Sequence, residues 1–121
     1  MKLTVIIPCY NEESTVKEII SLVKINISKN DEIIIVDDAS TDNTRQIIES
    51  LKCNNSVTVI SHSENMGRSI TRNSGIKAAT GELLILLDCD IEVESDFISR
   101  HVEYHQNENV IGVVSHIRTH D

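Results

Sequence analysis

The sequence is poor in aromatic residues and in basic residues. It has no tryptophan, two tyrosines and one phenylalanine, so its core must be built from isoleucine, valine and leucine. Eleven Lys and Arg residues stand against nineteen Asp and Glu residues, which gives a formal net charge of −8. Because an acidic chain repels anions, a nucleic acid or an anionic membrane surface is not an expected partner. A phosphate-bearing small ligand would need a metal ion to offset the repulsion.

Cysteines are few and do not form a recognisable pattern. Cys9, Cys53 and Cys89 are odd in number and show no CxxC spacing, which argues against a disulfide framework and against a zinc site. No apolar run is long enough to span a bilayer, and the apolar stretch before Pro8 is too short for a signal-peptide core. These features predict one cytoplasmic domain over residues 1–121, with membrane association of a longer parent protein left open.

Apolar runs alternate with amphipathic stretches along the whole chain. Strands are predicted over residues 3–7, 33–36, 57–60, 83–87 and 110–115, and helices over residues 12–25, 40–51, 66–79 and 95–106. This alternation is typical of an α/β, Rossmann-like fold with a mainly parallel sheet and right-handed crossovers. If the fourth strand returns to the other side of the first, the sheet order is 3-2-1-4 plus a further strand. The ligand crevice then opens between strands 1 and 4.

Helix ends are marked by residues with capping side chains or with none. Asn11 or Ser14 is expected to cap the first helix, and a residue of the segment 40–42 is expected to cap the second. Gly81 is expected to end the third helix as a C-terminal cap. These residues therefore place the loops that join each strand to the next helix.

Two carboxylates follow the longest apolar run, residues 83–87, which reads as a strand buried on both faces. Asp88 and Asp90 come directly after it, and side chains two residues apart in extended backbone point the same way. Both can therefore reach one hard divalent cation, which prefers carboxylate oxygens. The alternative is that acidic residues end the strand simply because the chain has reached water, and the triplet alone leaves both readings open.

Three predicted strands end in polar residues that the sheet order brings to one edge. The first strand leads into residues 8–12, the second into Asp37 and Asp38, and the fourth into residues 88–90. Because the carboxyl ends of parallel strands share an edge, these side chains are expected to line one crevice. Asp37 has a competing role as the cap of the turn that follows it.

Other polar residues are better explained without a ligand. Arg68 and Arg72 are expected to form helix-surface salt bridges rather than phosphate contacts. His101 and His105 have the i, i+4 spacing of a metal pair, but a solvated helix face is favoured. His62 fits no pattern that indicates a function.

The polar segments, taken in order, resemble the nucleotide-binding half of family 2 glycosyltransferases with the GT-A fold. The resemblance rests on residues 4–13, 35–42, 65–67, 72–75, 79–82 and 88–90. It implies a domain that binds a UDP- or GDP-linked sugar for inverting transfer to a glycan or a lipid-linked acceptor. A homodimer is a further partner that the resemblance leaves open.

The resemblance also implies which residues bind the donor and its metal. The residues of the implied nucleotide-binding set are Pro8, Tyr10, Glu12, Asp38, Asp88, Cys89 and Asp90. Asp88 and Asp90 would hold Mn²⁺ or Mg²⁺, and Glu92 occupies the place of a third ligand two positions further on. The metal would stabilise the diphosphate leaving group as a Lewis acid.

Members of this family continue into an acceptor-binding half that supplies the catalytic base. Here 31 residues follow Asp90 and none matches the acidic base motif, so the expectation is a truncated donor-binding domain with its catalytic residues unknown. One alternative is a response-regulator receiver domain, although the acidic pair follows the second strand instead of the first and no lysine follows Lys77. A non-catalytic nucleotide-binding scaffold is the other alternative.

Overall fold

The computed structural model describes residues 1–52, 56–91, 93–110 and 112–113. Within them, four parallel strands form one sheet in the order β3-β2-β1-β4. The strands are β1 (Leu3–Cys9), β2 (Glu32–Asp37), β3 (Val57–Ser61) and β4 (Leu83–Leu86). The helices are α1 (Val16–Asn26), α2 (Thr44–Leu51), α3 (Arg68–Ala78) and α4 (Phe97–Tyr104). The predicted α/β class and the order 3-2-1-4 are confirmed.

The predicted fifth strand, residues 110–115, falls largely outside the described residues. Its described positions, 110, 112 and 113, are not in a strand. Among the helices of the described chain, none combines the length and the apolar character that crossing a lipid bilayer requires.

The core lies on both faces of the two central strands, because successive side chains of a strand point to opposite faces. On one face, Val5 and Ile7 of β1 pack with the buried positions of α1, which are Val16, Ile19, Ile20 and Val23. On the other face, Ile6, Ile34 and Val36 form a smaller cluster on the side covered by α3. The helical spacing of the α1 positions is the one expected from the sequence.

Pro8 does not end β1 as predicted, because the strand continues to Cys9 and Pro8 pairs with Val36 of β2. On the side of β4, however, pairing stops at Ile6 and Leu86. Pro8 is the next residue of β1 that faces β4, and it has no N–H to donate. The two strands therefore part at this point, which opens a gap at the carboxyl edge of the sheet.

β4 is buried on one face only, so the prediction of a strand buried on both faces is wrong. Leu83 and Ile85 are buried, whereas Leu84 and Leu86 are 38% and 46% exposed. The reason is coverage, since α3 packs against β1 and β2 and leaves the outer strand of the described sheet open on that side.

Gly81 is not a helix cap, because α3 ends at Ala78 with Ala79 as its C-cap. Gly81 instead lies against β1, where its N–H donates to Thr4 Oγ1 over 2.9 Å. A Cβ atom at this position would come within 2.5 Å of Thr4 Oγ1 and 2.7 Å of the Thr4 nitrogen. The residue is therefore needed for close approach of two backbone segments.

The predicted start of α1 is also wrong, because the helix begins at Val16 and Thr15 occupies the cap position without a side-chain bond. Asn11 bonds across to the next loop instead of capping this helix. At α2 the expectation is closer, since Asp42 Oδ1 accepts a hydrogen bond of 2.9 Å from the Thr44 amide.

Candidate functional site

A cleft of about 370 Å³ opens where β1 and β4 part. All seven residues of the implied nucleotide-binding set line it: Pro8, Tyr10, Glu12, Asp38, Asp88, Cys89 and Asp90. Four further lining residues are Asn65, Gly67, Arg68 and Thr71. The structure thus brings the side chains together at one edge, while the role of each remains a prediction.

The loop after β1 is tied to the loop after β2 by hydrogen bonds. Asn11 N donates to Ser40 Oγ over 3.0 Å, and Asn11 Oδ1 accepts from the Thr41 amide over 2.7 Å. Each loop contains a non-glycine residue in the left-handed region, Asn11 with φ 51° and Ala39 with φ 61°. Such backbone persists only where its surroundings over-determine it. The cross-links therefore fix the backbone on both sides of Asn11, where two residues of the cleft lie.

Asp38 is enclosed by hydrogen-bond donors, and its side chain is 5% exposed. Its Oδ1 accepts from Met66 N over 2.8 Å and lies 2.8 Å from His62 Nδ1, while its Oδ2 accepts from Gly67 N over 3.0 Å. Burial alone would raise the pKa of Asp38, but the hydrogen bonds from His62 and the two amides outweigh it and lower that pKa. Asp38 thereby anchors the segment after β3 to the end of β2.

Asp37 caps its own turn, as the competing interpretation proposed. Its Oδ1 accepts a hydrogen bond from Ser40 Oγ, and the residue is buried and absent from the cleft lining. Of the acidic pair that follows β2, Asp38 is therefore the member that faces the cleft.

Arg72 forms an ion pair with a carboxylate of the cleft. Its Nη2 donates to Asp88 Oδ1 over 3.2 Å and to Oδ2 over 3.4 Å. The predicted salt bridge of Arg72 is confirmed, and its partner is a member of the implied metal site. Arg68 lines the cleft itself. Among the described residues, Arg72 Nε has no hydrogen-bond partner, so the guanidinium is held through its outer nitrogen.

Glu12 and Asp90 bring like charges to the cleft from the loops after β1 and β4. Burial, followed by the negative charge of Asp90, raises the pKa of Glu12 above its ordinary value. A cation between them would remove this repulsion, and carboxylate oxygens are the ligands that Mg²⁺ and Mn²⁺ prefer. The donor set therefore fits a hard divalent cation.

The described residues do not complete a metal site by themselves. No group of three or more His, Cys, Asp or Glu side chains within them is close enough to hold an ion. The predicted third ligand, Glu92, lies outside the described residues. The fit to a metal accordingly rests on Asp88, Asp90 and the repulsion at Glu12.

Cys9 and Cys89 pack together beneath the cleft as small buried side chains, which is the expected role. They are 2% and 3% exposed. A hydrogen bond with Cys89, followed by burial, raises the pKa of the Cys9 thiol far above its ordinary value. Cys9 is therefore an uncharged side chain, while Cys53 lies outside the described residues.

His62 contacts Asp38 although no sequence pattern indicated a role for it. The two residues are 24 positions apart in the chain. The signal that could have found it is positional, because His62 directly follows β3 and β3 pairs with β2. The rule that places Asp38 at the carboxyl edge places His62 beside it.

Comparison with known proteins agrees with this geometry. The model of the family described as glycosyl transferase family 2 matches residues 4–121. The poly-beta-1,6-N-acetyl-D-glucosamine synthase of Staphylococcus aureus is 33% identical over 113 residues, which cover 93% of this chain and 27% of that protein.

Two solved structures show the same fold. The mannosyltransferase PcManGT from Pyrobaculum calidifontis, in complex with GDP-Man and Mn²⁺, matches with a TM-score of 0.80 and 25% identity over 89% of this chain and 33% of that one. S. aureus TarS 1–349, in complex with UDP-GlcNAc, matches with a TM-score of 0.77 and 28% identity over 88% of this chain and 31% of that one. This chain thus spans roughly a quarter to a third of these relatives. Its fold is that of GT-A enzymes, and the chain belongs to glycosyl transferase family 2.

Proposed function

We propose that the cleft binds a nucleoside diphosphate sugar and that this chain is the donor-binding part of a glycosyltransferase. The observation that carries the proposal is the convergence of Tyr10, Glu12, Asp38 and Asp90 on one cleft at the point where the strand order reverses. The two solved relatives contain GDP-Man and UDP-GlcNAc, which supports a donor of this class.

In this proposal the loop after β1 holds the nucleoside. Pro8 and Tyr10 supply apolar and aromatic surface, and Tyr10 is 46% exposed and therefore available to a ligand. Glu12 offers an acceptor for a ribose hydroxyl or a ring N–H. Asp38 closes the far side of this pocket at the end of β2.

The acidic motif after β4 would face the diphosphate. Asp88 and Asp90, with Glu92 as a third ligand, are the residues that would hold Mn²⁺ or Mg²⁺. Bound there, the ion supplies Lewis-acid stabilisation of the diphosphate leaving group. Arg72 orients the Asp88 carboxylate and adds positive charge beside it. Both effects offset the repulsion between an acidic cleft and an anionic donor.

The stereochemical outcome and the acceptor belong to the proposal through the family resemblance alone. We propose inverting transfer to a glycan or a lipid-linked acceptor, with no catalytic base assigned among these residues. The receiver-domain alternative is wrong, because the chain belongs to glycosyl transferase family 2. A catalytically silent scaffold with the same fold is the alternative that an experiment must separate.

Titration calorimetry with UDP and with GDP tests the proposal. We expect one of the two nucleotides to bind in the presence of Mn²⁺, with affinity at least tenfold weaker when EDTA replaces the metal. Equal affinity with the chelator would contradict the metal role. A folded sample that binds no nucleotide under either condition would favour the scaffold, and circular dichroism of the same sample establishes that it is folded.

A further inference from the structure

A row of three polar side chains runs from the cleft to α3 and has no part in the function proposed above. His62 Nδ1 lies 2.8 Å from Asp38 Oδ1, and His62 Nε2 lies 3.0 Å from Ser74 Oγ. The His62 side chain is 14% exposed. Its backbone is fixed as well, because His62 N donates to the Asp37 carbonyl over 2.9 Å. The imidazole is therefore held at both ring nitrogens and at its own main chain.

The hydrogen atoms available to this row decide which bonds can form together. The ionised Asp38 carboxylate only accepts, so His62 Nδ1 must carry a proton. Ser74 Oγ lies 3.0 Å from His62 Nε2 and also 3.0 Å from the Ile70 carbonyl, but a hydroxyl has a single proton. With a neutral ring, Ser74 can donate to only one of these two acceptors.

A doubly protonated ring removes this conflict. His62 Nε2–H then donates to Ser74 Oγ, and the Ser74 hydroxyl donates to the Ile70 carbonyl, while Nδ1–H stays on Asp38. All three bonds form at once only in the cationic state. The bond to Asp38 is then also charge-assisted, which makes it the stronger kind.

The other end of the row is the wall of the cleft. Asp38 shares its Oδ1 between His62 and Met66 N, and its Oδ2 accepts from Gly67 N. Gly67 has φ 92° and stands at the N-terminal end of α3, and both Gly67 and Asn65 line the cleft. A rotation of the Asp38 carboxylate would therefore release the two amides that shape this wall.

We propose that His62 is a positioning residue of the donor site. It locks the Asp38 carboxylate and, through it, the segment 65–67 in the shape that accepts the nucleotide, and it does so fully when both ring nitrogens are protonated. This inference rests on the proposed function, since it assumes that the cleft binds a nucleotide.

The surroundings of the ring define where its charge acts. Among the described residues, the ionisable side chain in contact with the ring is Asp38 at the end of β2, and α3 faces it with the uncharged Ser74. Arg72 of the same helix pairs with Asp88, and Arg68 lines the cleft. Glu64, in the segment of His62 itself, is exposed. Protonation of the ring thus bears most directly on Asp38.

Three substitutions separate the two ring nitrogens. His62→Asn places an amide N–H near the position of Nδ1 and keeps the bond to Asp38. His62→Gln places its amide near Nε2 and keeps the contact with Ser74 instead, while His62→Ala removes both. His105→Asn, on the opposite side of the chain from this row in sequence and absent from the cleft lining, is the matched control.

Calorimetric titration of the Mn²⁺-loaded chain with the nucleotide that binds the wild type, at pH 6 and pH 8, tests the inference. We expect wild type and His105→Asn to bind several-fold more tightly at pH 6 than His62→Ala, which loses about tenfold in affinity. His62→Asn should recover most of that loss and His62→Gln should not. The gain in affinity from pH 8 to pH 6 should be larger in the wild type than in His62→Asn.

The outcomes distinguish this inference from the function on which it rests. A wild-type chain that binds no nucleotide refutes the proposed function and the inference with it. A wild-type chain that binds, with all His62 variants binding equally and with the same dependence on pH, refutes the inference alone. If His62→Ala does not fold, His62→Asn against His62→Gln decides, because equal affinity of these two would also overturn it.

Discussion

Arg72 on α3 and Asp88 after β4 are joined by an ion pair in which one guanidinium nitrogen lies 3.2 Å from Oδ1 and 3.4 Å from Oδ2. The pair links a helix to the acidic motif at the mouth of the cleft. Its side chains are 36% and 30% exposed, so its direct contribution to stability is small. Its importance lies in where it holds the Asp88 carboxylate.

Replacement of Arg72 by alanine should therefore weaken donor binding more than it weakens the fold. We expect the free energy of unfolding to change by less than about 1 kcal/mol, because the pair is partly solvated. The Mn²⁺-dependent affinity for the nucleotide should fall about tenfold, since Asp88 loses its orientation and the cleft loses a positive charge. Arg45→Ala, at an exposed position of α2, is the control. Calorimetry in which both variants bind alike would contradict the role of Arg72.

Asp90→Asn should remove most of the metal-dependent part of nucleotide binding. An amide keeps the shape of the side chain but lacks the charge that a hard cation requires. We expect affinity in Mn²⁺ to drop to about the value that the wild type shows in EDTA. Asp96→Asn, whose side chain is 53% exposed in the wild type, should bind as the wild type does. Retained metal dependence in Asp90→Asn would show that the ion is held elsewhere.

The sheet order and the shared cleft were predictable from the sequence because they follow from pattern. Apolar runs and helical stretches alternate, and parallel strands deliver the residues after them to one edge. Asp38 and Asp90 were found in this way. His62 obeys the same rule but was missed, because a single histidine after a strand carries no spacing that indicates a partner.

The features that the sequence did not predict depend on neighbouring elements. Pro8 continues a strand because only its β4 side lacks a partner. Leu84 and Leu86 are exposed because α3 covers other strands, and Gly81 is needed because Thr4 lies against it. None of these contacts is local in sequence, so no periodicity or capping rule could have indicated them.

Glu12→Gln should have opposite effects on stability and on metal binding. The pKa of Glu12 is raised by burial and by Asp90, so the folded chain favours the protonated form. Wild-type stability at this residue therefore falls as pH rises through the Glu12 titration. At pH 7 without metal, the glutamine variant should be more stable by less than about 1 kcal/mol. It should also bind the nucleotide less tightly in Mn²⁺.

Thermal unfolding in EDTA at pH 5 and pH 7 measures the first effect, and calorimetry measures the second. The stabilisation of Glu12→Gln relative to wild type should be larger at pH 7 than at pH 5. A variant that is less stable than wild type at pH 7 would show that the repulsion with Asp90 is not the dominant influence on Glu12.

Gly81→Ala should destabilise the fold, because the added methyl group meets both the side chain and the backbone of Thr4. The contacts would be 2.5 Å and 2.7 Å, and the backbone atom cannot move without shifting β1. We expect a loss of about 1–3 kcal/mol in the free energy of unfolding. Gly112→Ala is the matched control, since nothing lies within 4 Å of its Cβ position. Urea unfolding with equal midpoints for the two variants would refute the close approach at Gly81.

Asp38→Asn should make the chain less stable at neutral pH and less sensitive to acid. The pKa of Asp38 is lowered in the folded state, so between the folded and unfolded titrations the unfolded chain binds more protons. The stabilisation from this carboxylate is complete above the unfolded pKa and is lost as pH falls through the folded one, below about pH 4. Removal of the charge should cost about 1–3 kcal/mol at pH 7, because two amides and His62 lose a charged acceptor. Urea unfolding from pH 7 to pH 3 measures this directly. The difference between wild type and Asp38→Asn should shrink as the pH falls, and a difference that stays constant over this range would contradict the ionised state of Asp38.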